Sequence, residues 1–256
     1  MASLSIDSVQ HIYYELLDGE RDKPYLIFLH DALGCSAMWK DFPRLLCEKT
    51  GCPGLVYDRL GHGKSSPLSG SRTIHYLHQC ALVELPAIIT LLIPATRYFL
   101  VGHSDGGSIA LIHASGKPVY LKGIITEAAH VFVEQETLAG IETATDAFYA
   151  GKLHRLSGHH GEKTADLFRA WSETWRNENF RSWNIEYLLP SIACPALILQ
   201  GSEDRYGTIA QVESIASKAL AAEKVMIAAS GHVPHHEKTD LVLRLMSSFL
   251  RQRMGY

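Results

Sequence analysis

The chain has 256 residues, 46% of them hydrophobic, and a formal charge of −3 with both signs scattered along its length. That is ample for one sizeable core in one domain with a modest insertion, and it argues against nucleic acid or an anionic membrane as a partner. No apolar run reaches membrane-spanning length and residues 1–10 lack a basic segment followed by an apolar one, so a cytoplasmic, unexported protein is expected.

Val9 to Leu17 has the aromatic and β-branched content of a strand, and a polar turn over 18–24 leads into a short apolar strand, Tyr25 to Leu29, ending at His30. Ala37 to Lys49 reads as the first helix, with Trp39, Phe42, Leu45 and Leu46 at helical spacing for the core. Gly54 to Tyr57 is the next strand. The segment Gly61-His62-Gly63-Lys64-Ser65 after it superficially matches a phosphate-binding loop, but that pattern requires glycine where Asp58 stands and a helix directly afterwards. His75 to Leu92 is an amphipathic helix that Pro86 could kink.

Tyr98 to Val101 is an apolar strand, followed by Gly102-His103-Ser104-Asp105-Gly106 and a helical run beginning near Gly107. Gly-x-Ser-x-Gly between a strand and a helix is the pattern of a nucleophile elbow. The serine sits under backbone strain at a turn whose neighbours must be small, its hydroxyl projects above the sheet, and the amide of Asp105 points where an oxyanion would form. Tyr120 to Thr126 is another strand, and Glu127 at its end is one candidate acid for a histidine base. From 130 to 186 no strand pattern appears; the segment is helical and charged, with Trp171, Trp175, Phe180 and Trp183 placed for packing or for a pocket wall.

Strand signals resume with Ala196 to Gln200, and the acids Glu203 and Asp204 follow at the carboxyl end, where open α/β sheets place functional groups. Asp204 could accept an imidazole N–H or simply cap a helix over Thr208 to Leu220. Val225 to Ala228 is the last strand, Ser230-Gly231-His232 follows it directly, and Leu241 to Leu250 is a closing amphipathic helix. Alternating strands and helices imply a doubly wound, mostly parallel sheet. Five cysteines without C-x-x-C spacing are expected as free thiols in a reducing compartment. The pairs His159-His160 and His235-His236 are expected at the surface or a pocket rim, and neither a metal nor a cofactor is expected.

Five motifs together resemble the α/β-hydrolase superfamily over nearly the whole chain: 28–34 (FLHDALG), 57–65 (YDRLGHGKS), 102–107 (GHSDGG), 200–204 (QGSED) and 230–234 (SGHVP). The resemblance implies the superfamily's α/β fold with a helical cap inserted at 130–186 into a core of 1–129 and 187–256. It also implies a catalytic Ser104, Asp204 and His232, in the chain order of that fold, and it makes the 57–65 segment a structural turn. Ala32 becomes the second oxyanion amide, although the family's His-Gly dipeptide has become His30-Asp31, and aspartate adopts glycine-like angles less readily. The Ser-Asp-Gly-Gly run is similar to that of biphenyl-hydrolase-like proteins, in which an acid after the nucleophile can receive an amino group. Asp105, Trp171 and Trp175 are therefore substrate-binding candidates, and the enol-lactonase branch is a near neighbour. The expected activity is cleavage of a small-molecule ester through an acyl-enzyme. Carbon–carbon bond hydrolysis, lactone hydrolysis and a non-enzymatic ligand receptor are the alternatives.

Overall fold

The computed structural model of the chain describes residues 2–5 and 10–254; Val9, at the head of the first expected strand, lies outside the described residues. Eight strands form one sheet: β1 (Ala2–Ser5), β2 (His11–Leu17), β3 (Tyr25–Leu29), β4 (Gly54–Tyr57), β5 (Tyr98–His103), β6 (Leu121–Glu127), β7 (Ala196–Gly201) and β8 (Ala222–Ile227). Their order is β1-β2-β4-β3-β5-β6-β7-β8. β2 pairs antiparallel with β1 and β4, and every pairing from β4 to β8 is parallel. The order reverses between β3 and β5, the switch point where sheets of this kind open a crevice at their carboxyl edge.

The helices are α1 (Phe42–Thr50), α2 (Tyr76–Gln79), α3 (Leu85–Leu92), α4 (Asp105–Ser115), α5 (Gln135–Tyr149), α6 (Ser157–His160), α7 (Thr164–Arg176), α8 (Ile209–Lys218), α9 (Pro234–Glu237) and α10 (Thr239–Met254). Alternate side chains of the central strands feed two cores. Ile27, Leu29, Leu100 and Ile124 pack with α3, α4 and α8 on one face, while Leu26, Phe28, Val101 and Ile125 pack with α1 and α10 on the other. No helix among the described residues is long and apolar enough to cross a membrane.

Of the two expected helices that contain a proline, the first is interrupted and the second is continuous with a π-turn. The helix expected over Ala37 to Lys49 is a 3-10 turn (Ser36–Trp39), a left-handed Lys40 (φ 54°) and then α1. Pro43 lacks the N–H that would bond the Trp39 carbonyl, so it is tolerated only in the first turn. The helix expected over 75–92 contains a π-turn at Cys80–Glu84, where the Leu85 N–H reaches Cys80 O, just before the amide-less Pro86. Between β6 and β7 the chain is helical, carrying α5, α6 and α7, and the ends of this insertion meet at an antiparallel bridge between Phe132 and Asn184.

Candidate active site

Ser104 stands between β5 and α4 with φ 53° and ψ −117°, a strained conformation for a residue bearing a Cβ. Its surroundings enforce it. Ser104 N–H donates to Glu127 O at 2.8 Å, and Ser104 O accepts from the Gly107 and Ser108 amides at 2.8 and 3.1 Å. A Cβ on Gly102 would lie 2.2 Å from Gly106 O, and one on Gly106 would lie 1.9 Å from Leu29 O, so both flanking positions require glycine. The helix begins at Asp105 rather than near Gly107, and the Asp105 N–H is therefore a first-turn amide with no intrahelical acceptor, at the positive end of the helix dipole.

Ser104, His232 and Asp204 come together. His232 Nε2 lies 3.0 Å from Ser104 Oγ, and His232 Nδ1 lies 2.8 and 2.9 Å from the two Asp204 oxygens. With Nδ1–H donated to the carboxylate, the Nε2 lone pair faces the serine hydroxyl. Burial by itself would raise the Asp204 pKa, but the His232 hydrogen bond and charge and the Tyr206 amide override it and hold the carboxyl below its ordinary value. Asp204 does not cap the following helix, because Thr208 Oγ1 does so by accepting the Ala210 N–H. The base and acid loops touch closely: a Cβ on Gly201 would lie 2.1 Å from Gly231 O. Glu237 secures the His232 loop by accepting the Gly231 N–H at 2.5 Å and the Val233 N–H at 3.3 Å.

The other acid candidates are engaged elsewhere. Glu203 is exposed. Glu127 is bonded to His235 Nδ1 at 2.7 Å, with both side chains buried. That pairing corrects the expectation of a rim position for His235. His160 is likewise buried: Nδ1 accepts the Gly63 N–H and Nε2 donates to Leu33 O, so it joins the 57–65 turn to the loop after β3. His159 is exposed and His236 half-buried, donating to Met38 O. The five cysteines are all unpaired thiols, Cys35, Cys47 and Cys52 buried and Cys80 and Cys194 half-buried.

The loop after β3 accommodates aspartate without glycine-like angles. Asp31 does not take a positive φ. Its Oδ1 accepts the Leu33 N–H at 2.8 Å, a local turn that suits Asp. The Arg59 guanidinium donates to His30 O at 2.5 Å and Asp31 O at 2.7 Å, which pins those carbonyls, and His62 Nε2 lies 3.1 Å from Ala32 O. Asp31 Oδ2 lies 3.4 Å from His103 Nδ1, and His103 Nε2 lies 2.8 Å from His232 O. Both partners are acceptors, an arrangement that favours the protonated ring. Burial acts to lower the His103 pKa, but Asp31 and the His232 carbonyl outweigh it and raise the value.

Ser104, Asp105, Ala32 and His232 border a cavity of about 780 Å³, a size suited to a small organic ligand. α5 and α7 supply its walls through Ile141, Ala144, Ala147, Trp171 and Trp175, so both predicted tryptophans reach it. The Asp105 carboxylate is buried beside it, and Oδ2 accepts from Tyr76 Oη at 2.7 Å; Tyr76 Oη in turn accepts from Trp175 Nε1 at 2.8 Å. Burial raises the Asp105 pKa, with Arg59 and Arg72 pulling the other way. One Asp105 oxygen is thus committed to the protein. Sequence reasoning missed Tyr76, Tyr206, whose ring centroid is 4.7 Å from that of His232, and the cavity-lining His130. Only His130 carried a usable signal, its position just past β6 at the carboxyl edge of the sheet.

A strained serine on a strand–helix elbow, above a mostly parallel sheet and bonded to a histidine–aspartate pair, describes a class of enzyme, and the family comparison agrees. Residues 26–245 match the Alpha/beta hydrolase family, and the chain belongs to it. The chain is similar to 2-succinyl-6-hydroxy-2,4-cyclohexadiene-1-carboxylate synthase of Enterobacter sp. (strain 638), at 26% identity over 92% of this chain and 95% of the relative. Among solved structures it resembles the enol-lactonase of Burkholderia xenovorans LB400, with TM-score 0.76, 19% identity and coverage of 97% and 99% of the two chains. A thermophilic esterase of Thermogutta terrifontis gives TM-score 0.76 at 18% identity, covering 98% and 97%. At those identities the two structures speak for the fold.

Proposed function

We propose that the chain is a serine hydrolase of small, largely apolar carboxylic esters, with 130–186 acting as the cap over its pocket. The observation that carries this reading is the Ser104–His232–Asp204 hydrogen-bonded array opening into the apolar cavity. Ser104 Oγ attacks the ester carbonyl as its proton passes to His232 Nε2. The amides of Asp105 and Ala32 hold the oxyanion, each such donor contributing about 10²–10³ in turnover. His232 then gives its proton to the departing alkoxide, leaving an acyl group on Ser104. Water, deprotonated by the same nitrogen, releases the acid and restores the serine. Asp204 keeps the ring oriented and stabilises the imidazolium formed in each half-reaction.

Charge separates this reading from that of the Enterobacter relative, whose name describes a succinyl-substituted ring carboxylate. Arg205, an exposed residue, is the one Lys or Arg among the described residues lining the cavity; the lining His103 faces the Asp31 carboxylate, Asp105 adds a second acid, and the remaining walls are mostly apolar. Such a lining favours a neutral acyl group over an anionic one. Cyclic esters need the same steps, so lactones belong in the same test. Initial rates are measured over p-nitrophenyl esters of increasing acyl length, an aminoacyl ester, a lactone and an anionic succinyl ester. Ser104-dependent turnover confined to the neutral members is expected. Preference for the succinyl ester, or turnover that survives Ser104→Ala, would refute the proposal.

A further inference from the structure

One buried polar side chain in the cavity is unused by the steps above. His130 is 3% exposed and lines the cavity. Ser108 Oγ donates to His130 O at 2.7 Å and accepts from His130 N–H at 3.2 Å, so α4 fixes its backbone. Its ring stands edge-on to Trp175, with centroids 5.4 Å apart, and lies 6.1 Å from the His232 ring. It is therefore set between the aromatic wall and the base. Both of its hydrogen bonds run through the backbone, so neither ring nitrogen has a partner among the described residues; Nδ1 is sealed from the cavity, which leaves Nε2 as the nitrogen a ligand can reach. Burial, with the nearby His232 adding to it, lowers the His130 pKa to about 3. At neutral pH the ring is thus an uncharged imidazole carrying one N–H donor and one lone pair.

An unpartnered polar ring in an apolar wall carries a desolvation cost that an aromatic ring of similar size would avoid. A ligand in the cavity can supply a partner to Nε2 and recover part of that cost. The mostly apolar walls favour a neutral partner over a charged one. We propose that His130 is the polar anchor for the substrate: the ester carries a neutral hydrogen-bonding oxygen, a hydroxyl or a keto carbonyl, a few bonds from the scissile carbonyl. This inference rests on the ester-hydrolase reading and names its substrate class. It makes His130 a specificity-determining residue with no part in the proton transfers.

The test uses isosteric ester pairs that differ in one hydroxyl. p-Nitrophenyl 3-hydroxybutyrate against 3-methylbutyrate probes the acyl side, and 2-hydroxyethyl against propyl butyrate probes the alcohol side. The wild type is expected to prefer the hydroxyl member of one pair by about tenfold in kcat/KM, and His130→Phe to bring that ratio to unity or invert it. Preference for the methyl member in both pairs, or a hydroxyl preference that persists in His130→Phe, would overturn the proposal. Imidazole ¹⁵N shifts in Ser104→Ala separate this inference from the hydrolase reading. Ethyl 3-hydroxybutyrate should move the His130 resonances more than ethyl 3-methylbutyrate, and equal shifts would overturn the anchor even in the absence of turnover. Lack of Ser104-dependent turnover of all four esters, with the shift difference present, would instead count against the hydrolase reading alone.

Discussion

Replacing Asp31 by asparagine keeps the oxygen that accepts the Leu33 N–H and removes only the charge facing His103. The two side chains are 3.4 Å apart, with His103 3% and Asp31 26% exposed. A charge-assisted contact is worth about 1.5–3 kcal/mol, and the long separation with the partial exposure of Asp31 places this one near the lower end. About 1.5 kcal/mol lowers Tm by roughly 3–6 °C in a domain of this size. The loss should depend on pH. Because the folded His103 pKa is raised, its contribution is fully present below about 6.5 and fades as pH rises through the folded value. The Asp31 pKa is lowered: burial opposes this, and the His103 hydrogen bond and charge prevail, so its share is present above about 3.8 and fades as pH falls. The Tm gap between wild type and Asp31→Asn should therefore be largest near pH 5–6 and shrink as pH rises through the folded His103 value. Thermal melts across that range, with a parallel NMR titration of the His103 ring, make the measurement. Glu127 and the His235 ring, 5.0 Å from that of His103, also bear on the same imidazole, so His103 must be followed directly. A gap independent of pH, or a His103 titration unmoved by the substitution, would refute the ion-pair argument.

Three further substitutions bear on the assignments. Asp204→Asn should lower kcat by roughly 10⁴ with little change in Tm, because it disturbs the tautomer His232 needs; ester turnover reads this, and a loss under tenfold would contradict it. Glu127→Gln removes the buried charge facing His235 and should reduce stability in urea while keeping kcat/KM within about threefold. A loss like that of Asp204→Asn would make Glu127 the working acid. Tyr76→Phe leaves both Trp175 Nε1 and Asp105 Oδ2 without their partner and should cost about 2–4 kcal/mol by urea denaturation. A cost below about 0.5 kcal/mol would show that α7 and the elbow are not joined through this tyrosine.

What could be read from the chain and what could not divides along the range of the interactions. The central strands are continuous apolar runs because both of their faces are covered, and the elbow declares itself through glycines forced by contacts with neighbouring segments. Ser104, Asp204 and His232 each follow a strand, so their meeting at the carboxyl edge follows from a parallel sheet. The first helix was misjudged because Trp39 and Phe42 suit a helical core pattern, whereas Pro43 decides where a helix can begin. His160 and His235 were misplaced because their partners, Gly63 and Glu127, are far away in the chain, and local polarity does not reveal such pairs. Concern over Asp31 rested on backbone angles alone, while the side-chain turn to Leu33 that makes aspartate suitable was overlooked. His130 looked like the boundary of a helical segment, and its position inside the cavity depends on how α7 brings Trp175 against it.

The central claim is that Ser104 is a nucleophile activated by His232. Intact-protein mass spectrometry after a short exposure to a small alkyl fluorophosphonate tests it without a guess at the substrate, since phosphonylation needs only an activated serine and an oxyanion site. The account predicts one adduct mapping to Ser104, absent in Ser104→Ala and formed far more slowly in His232→Ala. No adduct, or one that persists in Ser104→Ala, would contradict it.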